Sequence, residues 1–112
     1  MAESFAVAGG AATQREVLAQ VRQVLRQSKL GAVNPNGLAE LLRICDEVDQ
    51  AARRRQAAFD RFERDAYVAA GQQVRERVYA LATALGRALP DQRGLAERLV
   101  ATEAQAPGGG PT

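Results

Sequence analysis

Apolar residues in this chain recur every three or four positions and hardly ever alternate. Val17, Leu18, Val21, Val24 and Leu25 make one stripe at the spacing of a helix face. Just upstream, Thr13-Gln14-Arg15-Glu16 has the form of a capping box, in which a Thr N-cap and a Glu three residues later satisfy each other's backbone donors. Lys29 in the last turn and Gly31 at the left-handed position beyond it are stop signals. Together these predict a helix over residues 14–30.

Asn34 followed by Pro35 reads as an N-cap and the first helical position, where proline loses no hydrogen bond. From Leu38 the stripe resumes through Leu41 or Leu42, Cys45, Val48, Ala52, Gln56, Phe59, Phe62 or Glu63, Tyr67, Ala70, Val74, Val78, Leu81, Leu85 and Leu89, stopping at Pro90. Its repeat is nearer ~3.6 than the ~3.5 of a left-handed coiled coil. One continuous helix of about fifty residues would be roughly 75 Å long. Gly71 is the candidate break, since glycine costs ~1 kcal/mol inside a helix. Its surroundings, YVAAGQQVRERV, hold no Ser, Asp, Asn or Pro, so one long, bent helix is the favoured reading. The alternative is two helices folded back at 70–73, which would close a small bundle. After Pro90, Asp91 opens a short last helix with Leu95, Leu99 and Val100 as its apolar face, despite Gly94.

No hairpin dipeptide separates alternating runs, and β-branched residues are few, so no strand is expected. The fold class is therefore all-α: a helical hairpin with a short first helix, a long second helix bent or broken near Gly71, and a short C-terminal helix. The result is either an elongated molecule or a small helical bundle. Residues 1–12 are expected to be a flexible leader, 13–104 a single helical domain, and 105–112 a disordered Gly/Pro tail.

Composition makes the core thin. Apolar residues are 46% of the chain, but 23 of those 52 are alanine, which favours helix and adds little burial. A first helix of about seventeen residues covers only part of the longer stripe. Phe59, Phe62, Tyr67, Val74, Val78, Leu81 and Leu85 are left needing a cover, and a contiguous apolar strip of that kind marks an interface. A second copy, the short last helix or a partner's helix could fill that role.

The charges soften one obvious idea. The stretch DQAARRRQAAFDRFERDA sets Arg53, Arg54 and Arg55 in a row, which suggests a grip on phosphate. From Asp46 to Asp65, however, six acids face five arginines, and phosphate binding relies on a local positive excess. Asp49–Arg53, Asp60–Arg64 and Arg61–Asp65 stand four apart, the spacing of helix-surface ion pairs. The whole chain carries only +2. Arg53, Arg54 and Arg55, with Arg22 and Arg26 on the first helix, remain candidate contacts for an acidic partner or a nucleic acid.

Chemistry is sparsely provided. Histidine is absent, which removes the commonest general base and the commonest transition-metal ligand. The single cysteine, Cys45, can form neither a disulfide within the chain nor a zinc site, and it lies on the apolar stripe as a small buried residue. Asp46, Glu47 and Asp49 read as helix surface rather than a cation site. No glycine-rich phosphate loop follows a strand. Tyr67 and Tyr79 read as packing residues whose hydroxyls reach the edge of an interface. No cofactor, metal or catalytic residue is expected. The leader lacks a basic n-region, and no run reaches the ~20 apolar residues of a membrane span, so a cytoplasmic location is expected.

The chain therefore reads as a non-enzymatic helical protein–protein interaction module: a small adaptor, chaperone or assembly subunit. It would dock its apolar strip against a partner or a second copy. The alternative is a basic helical nucleic-acid-binding protein working through arginine-rich helix faces.

Overall fold

A computed structural model describes residues 13–105; the leader expected over 1–12 and the tail over 106–112 lie outside the described residues. The first helix, α1 (Gln14–Gln27), opens on the capping box read from the sequence. Thr13 Oγ1 accepts from the Glu16 amide at 3.1 Å, and the Thr13 amide donates to Glu16 Oε1 at 2.8 Å. It ends three residues before the predicted boundary. Ser28 takes extended backbone, its hydroxyl donates to the Leu25 carbonyl at 2.7 Å and accepts from the Leu30 amide at 3.2 Å. A serine that bonds its own backbone competes with the helix. Lys29 and Gly31 fall beyond that stop, Gly31 inside the one-turn helix α2 (Leu30–Val33).

Asn34 caps α3 (Pro35–Asp60) as expected, accepting from the Gly37 amide at 3.0 Å. That cap explains the glycine: a Cβ at residue 37 would stand 2.6 Å from Asn34 Nδ2. The fifty-residue helix does not form. The chain turns at Arg61–Phe62–Glu63 and returns as α4 (Arg64–Ala88), and the longest dimension of the molecule is 45 Å. Gly71, the expected break, sits inside α4 and is buried. A 3₁₀ turn at Pro90–Gln92 leads into α5 (Arg93–Ala101), the predicted short last helix, and a second 3₁₀ turn spans Thr102–Gln105.

The four main helices run up-down-up-down, the topology of a small bundle. Cross-links fix the directions. Glu47 meets Arg77, Arg54 meets Gln73 and Phe59 meets Tyr67, so α3 and α4 are antiparallel. Arg22 meets Asp46 between α1 and α3, and Arg98 meets Gln20 between α5 and α1. The core is Val17, Leu18, Val21 and Leu25 of α1, Leu41, Ile44, Cys45, Val48 and Ala51 of α3, Val74, Val78, Leu81 and Leu85 of α4, and Leu95 and Leu99 of α5.

At one end the chain is clamped. Arg55 is buried and forks onto Glu103, Nη1 to Oε1 at 2.9 Å and Nη2 to Oε2 at 3.2 Å. The Gln14 amide donates to the same carboxylate and to Thr102 Oγ1, while the Thr102 hydroxyl donates to the Leu99 carbonyl at 2.6 Å. A bidentate guanidinium–carboxylate pair whose carboxylate accepts a further hydrogen bond is the arrangement in which a buried charge is tolerated. Gly71 lies opposite: a Cβ there would stand 3.7 Å from Arg55 Cδ.

Candidate docking surface

The lengths of the helices decide what is left uncovered. Helices α3 and α4 have 26 and 25 residues, α1 has 14 and α5 has 9. Helix α1 begins opposite Arg55 and the chain past α5 reaches Glu103 there. Five residues of α3 follow Arg55, and Gln14 and Arg15 still line a cavity with Ala57 and Asp60, so the hairpin overhangs the other described helices by at most about 8 Å at ~1.5 Å per residue.

This divides the predicted strip in two. Val74, Val78, Leu81 and Leu85 have no exposed surface; the other helices cover them, and they are withdrawn from the docking surface expected of them. Phe59, Phe62 and Tyr67 sit on the overhang. Phe59 is 49% exposed and Phe62 94% exposed. Val68, which sequence reasoning did not select, joins them at 51%. The Phe59 and Tyr67 rings pack at 5.8 Å between centroids, tilted by 49°, within the range of favourable aromatic pairs. Together with Ala58, Phe62, Glu63 and Arg64 they line a shallow groove of about 320 Å³. The Tyr67 hydroxyl does not reach an interface edge as expected: it is shielded from solvent and has no hydrogen-bond partner among the described residues.

Phe62 is the unusual residue. It has φ +57°, the one left-handed backbone among the described non-glycine residues. Glycine and asparagine take that conformation readily, whereas other L residues pay about 1–2 kcal/mol. The turn itself is well bonded: the Arg61 amide reaches the Ala57 carbonyl at 3.1 Å, and the Glu63 amide reaches the Ala58 carbonyl at 2.9 Å. These bonds close the end of α3 in the manner of a left-handed C-cap. The turn also removes two ion pairs read from the sequence. Asp60–Arg64 and Arg61–Asp65 straddle it, and neither pair forms, whereas Asp49–Arg53 within α3 closes at 3.1 Å.

The candidate arginines are largely committed within the chain. Arg55 is buried on Glu103, which removes it from any external contact. Arg53 pairs with Asp49, Arg22 with Asp46 at 2.8 Å, and Arg54 donates to Gln73 at 3.0 Å. Arg26 is exposed. Elsewhere on α3, Arg43 joins Glu40 and Glu47, and its hydrogen bond holds the Glu40 carboxyl below the ordinary carboxylate range.

A second groove, about 480 Å³, runs between α4 and α5 over Ala82, Gly86, Ala96 and Val100, with Tyr79 half-exposed beside it. Burial pushes the Cys45 thiol up to about 11, so it is a packed apolar residue with little thiolate near neutrality. Among the described residues no cluster of three or more His, Cys, Asp and Glu is arranged to hold a metal ion, and no helix is long and apolar enough to cross a membrane. Compared with protein-family models, with curated proteins and with solved structures, the chain matches none of them.

Proposed function

We propose that the chain is a non-enzymatic interaction module that docks through the overhanging tip of the α3–α4 hairpin, with Phe62 as its anchor. The observation that carries this reading is the combination at Phe62 of a left-handed backbone and 94% exposure. A folded chain gains nothing from either feature, and glycine would serve the turn better. Strained residues that persist at a surface are where function is sought, and a large aromatic flanked by apolar neighbours is the usual centre of a binding hot spot. The role is that of a small adaptor or assembly subunit. A free buried thiol agrees with the reducing cytoplasm expected for it.

The test is photo-crosslinking in the source cells from an aromatic photo-reactive residue at position 62, compared with the same residue at Val33, exposed at the far end of the molecule. The expected result is a discrete protein adduct from position 62 alone, abolished by Phe59→Asp. Equal labelling from both positions, or a nucleic-acid adduct, would overturn the reading. The alternative of a basic nucleic-acid binder has less support, because four of its five arginines are engaged with groups of the chain itself.

A further inference from the structure

We infer that the tip binds a second copy of this chain, each Phe62 entering the other's groove. The inference rests on the docking reading above and names its partner. Two features of the tip favour a second copy over an unrelated protein, and a third sets the scale of the contact.

The first is shape. Phe62 is both the most exposed of the large apolar side chains among the described residues and a wall of the groove formed with Ala58, Phe59 and Tyr67. A projection beside a recess on one surface is what a two-fold axis needs, because each copy then supplies both halves of the contact.

The second is charge. Asp60, Arg61, Glu63, Arg64 and Asp65 surround Phe62 and all are exposed. Among the described residues, none of the five takes part in an ion pair. A rim of mixed sign meets repulsion on a uniformly acidic or basic surface. Turned by a two-fold, it sets acids against arginines across the axis. Such exposed pairs add little affinity; they fix orientation.

The third is area. Phe59, Phe62 and Val68 together expose roughly 350 Å², taking ~200 Å² for a whole aromatic side chain. A stable complex buries about 800 Å² on each side. These three side chains supply less than half of that, which suits a small, reversible contact rather than a permanent one.

The test is a concentration series from about 20 μM to 1 mM, the range over which a weak, reversible pair forms and separates, read by amide NMR and by sedimentation equilibrium. The expected result is a rise in mean mass with concentration, with amide shifts confined to residues 58–68. Phe62→Asp is expected to leave the helical circular-dichroism spectrum unchanged, because the side chain is in solvent, and to abolish both effects. Phe62→Tyr is expected to retain them. A constant monomer mass at the highest concentration overturns the self-pairing. So does association whose shifts map to the Tyr79–Val100 groove. A position-62 crosslink to a different protein, with no self-association, overturns this inference and leaves the docking reading standing.

Discussion

The two ends of the α3–α4 hairpin carry the same kind of residue at the same helical spacing and meet opposite fates. Toward the bundle, Val74, Val78, Leu81 and Leu85 are wholly buried because α1 and α5 lie beside them. Toward the tip, Phe59 is 49% and Phe62 94% exposed, beside the start of α1 and the end of α5. An apolar stripe is therefore a demand for cover. Whether the chain meets it internally depends on the lengths of the neighbouring elements, which no single stripe records.

The largest effect is expected where the bundle closes. Glu103→Ala strands the buried Arg55 charge and should cost about 3–5 kcal/mol, read as a fall in the denaturant midpoint. If Arg55 and Glu103 are replaced together by Met and Leu, most of that loss should return; failure of this rescue would mean that the clamp acts through something other than charge pairing. Next, Leu81→Ala should cost about 2–5 kcal/mol, while Phe62→Ala, on the same hairpin, should be near neutral. Comparable losses at both positions would erase the distinction between the ends.

Cys45 gives a pH-dependent version of the test. It is an acid whose folded pKa is raised, so the folded state holds the protonated thiol and the unfolded state releases the proton first. Its contribution to stability is complete below 9.0 and falls away as pH rises toward about 11. The thermal midpoint should decline more steeply across that window than in Cys45→Ala, and a thiol reagent at neutral pH should label the native protein only as it unfolds.

The smallest effects are stabilising ones. Phe62→Gly relieves the left-handed backbone and should leave stability unchanged or raise it by up to about 1 kcal/mol, while abolishing tip association. Gly71→Ala should add about 0.5–1 kcal/mol, because the new methyl would sit at ordinary contact distances of 3.6–3.7 Å from Arg75 and Arg55. A loss at Gly71 would mean that the crossing of α3 and α4 is tighter than those distances.

Local chemistry made much of the fold legible. The capping box at Thr13, the Asn34–Pro35 start and the final helix around Leu95 and Leu99 each depend on residues close together in sequence, and each stands in the structure. The hairpin turn was not legible, because Arg61, Phe62 and Glu63 include neither Gly, Pro nor Asn, and good hydrogen bonds hold a phenylalanine where those residues are expected. One signal was present. The stripe steps by five from Phe62 to Tyr67, and only by admitting the charged Glu63 does it keep its period. The clamp was hidden for a different reason. Gln56 was read as the stripe position, whereas Arg55 is the residue that turns inward, and its partner lies 48 positions away. Of the candidate strip, Phe59 and Phe62 kept their exposure, Tyr67 is partly covered and the aliphatic half became core, a division set by where α1 starts and α5 stops.

The clamp also makes the described chain almost a ring. Gln14 donates to Glu103, 89 positions away, and the same carboxylate holds the buried Arg55. A short linker could join the two ends there, and the ring could be cut at Arg61–Glu63 with every helix left whole. In such a circular permutant the bundle would be the same object, entered from a different point, and Phe62 would stand at a terminus. The residues that hold this protein together and those proposed to reach outward would then be separated by a cut in the backbone.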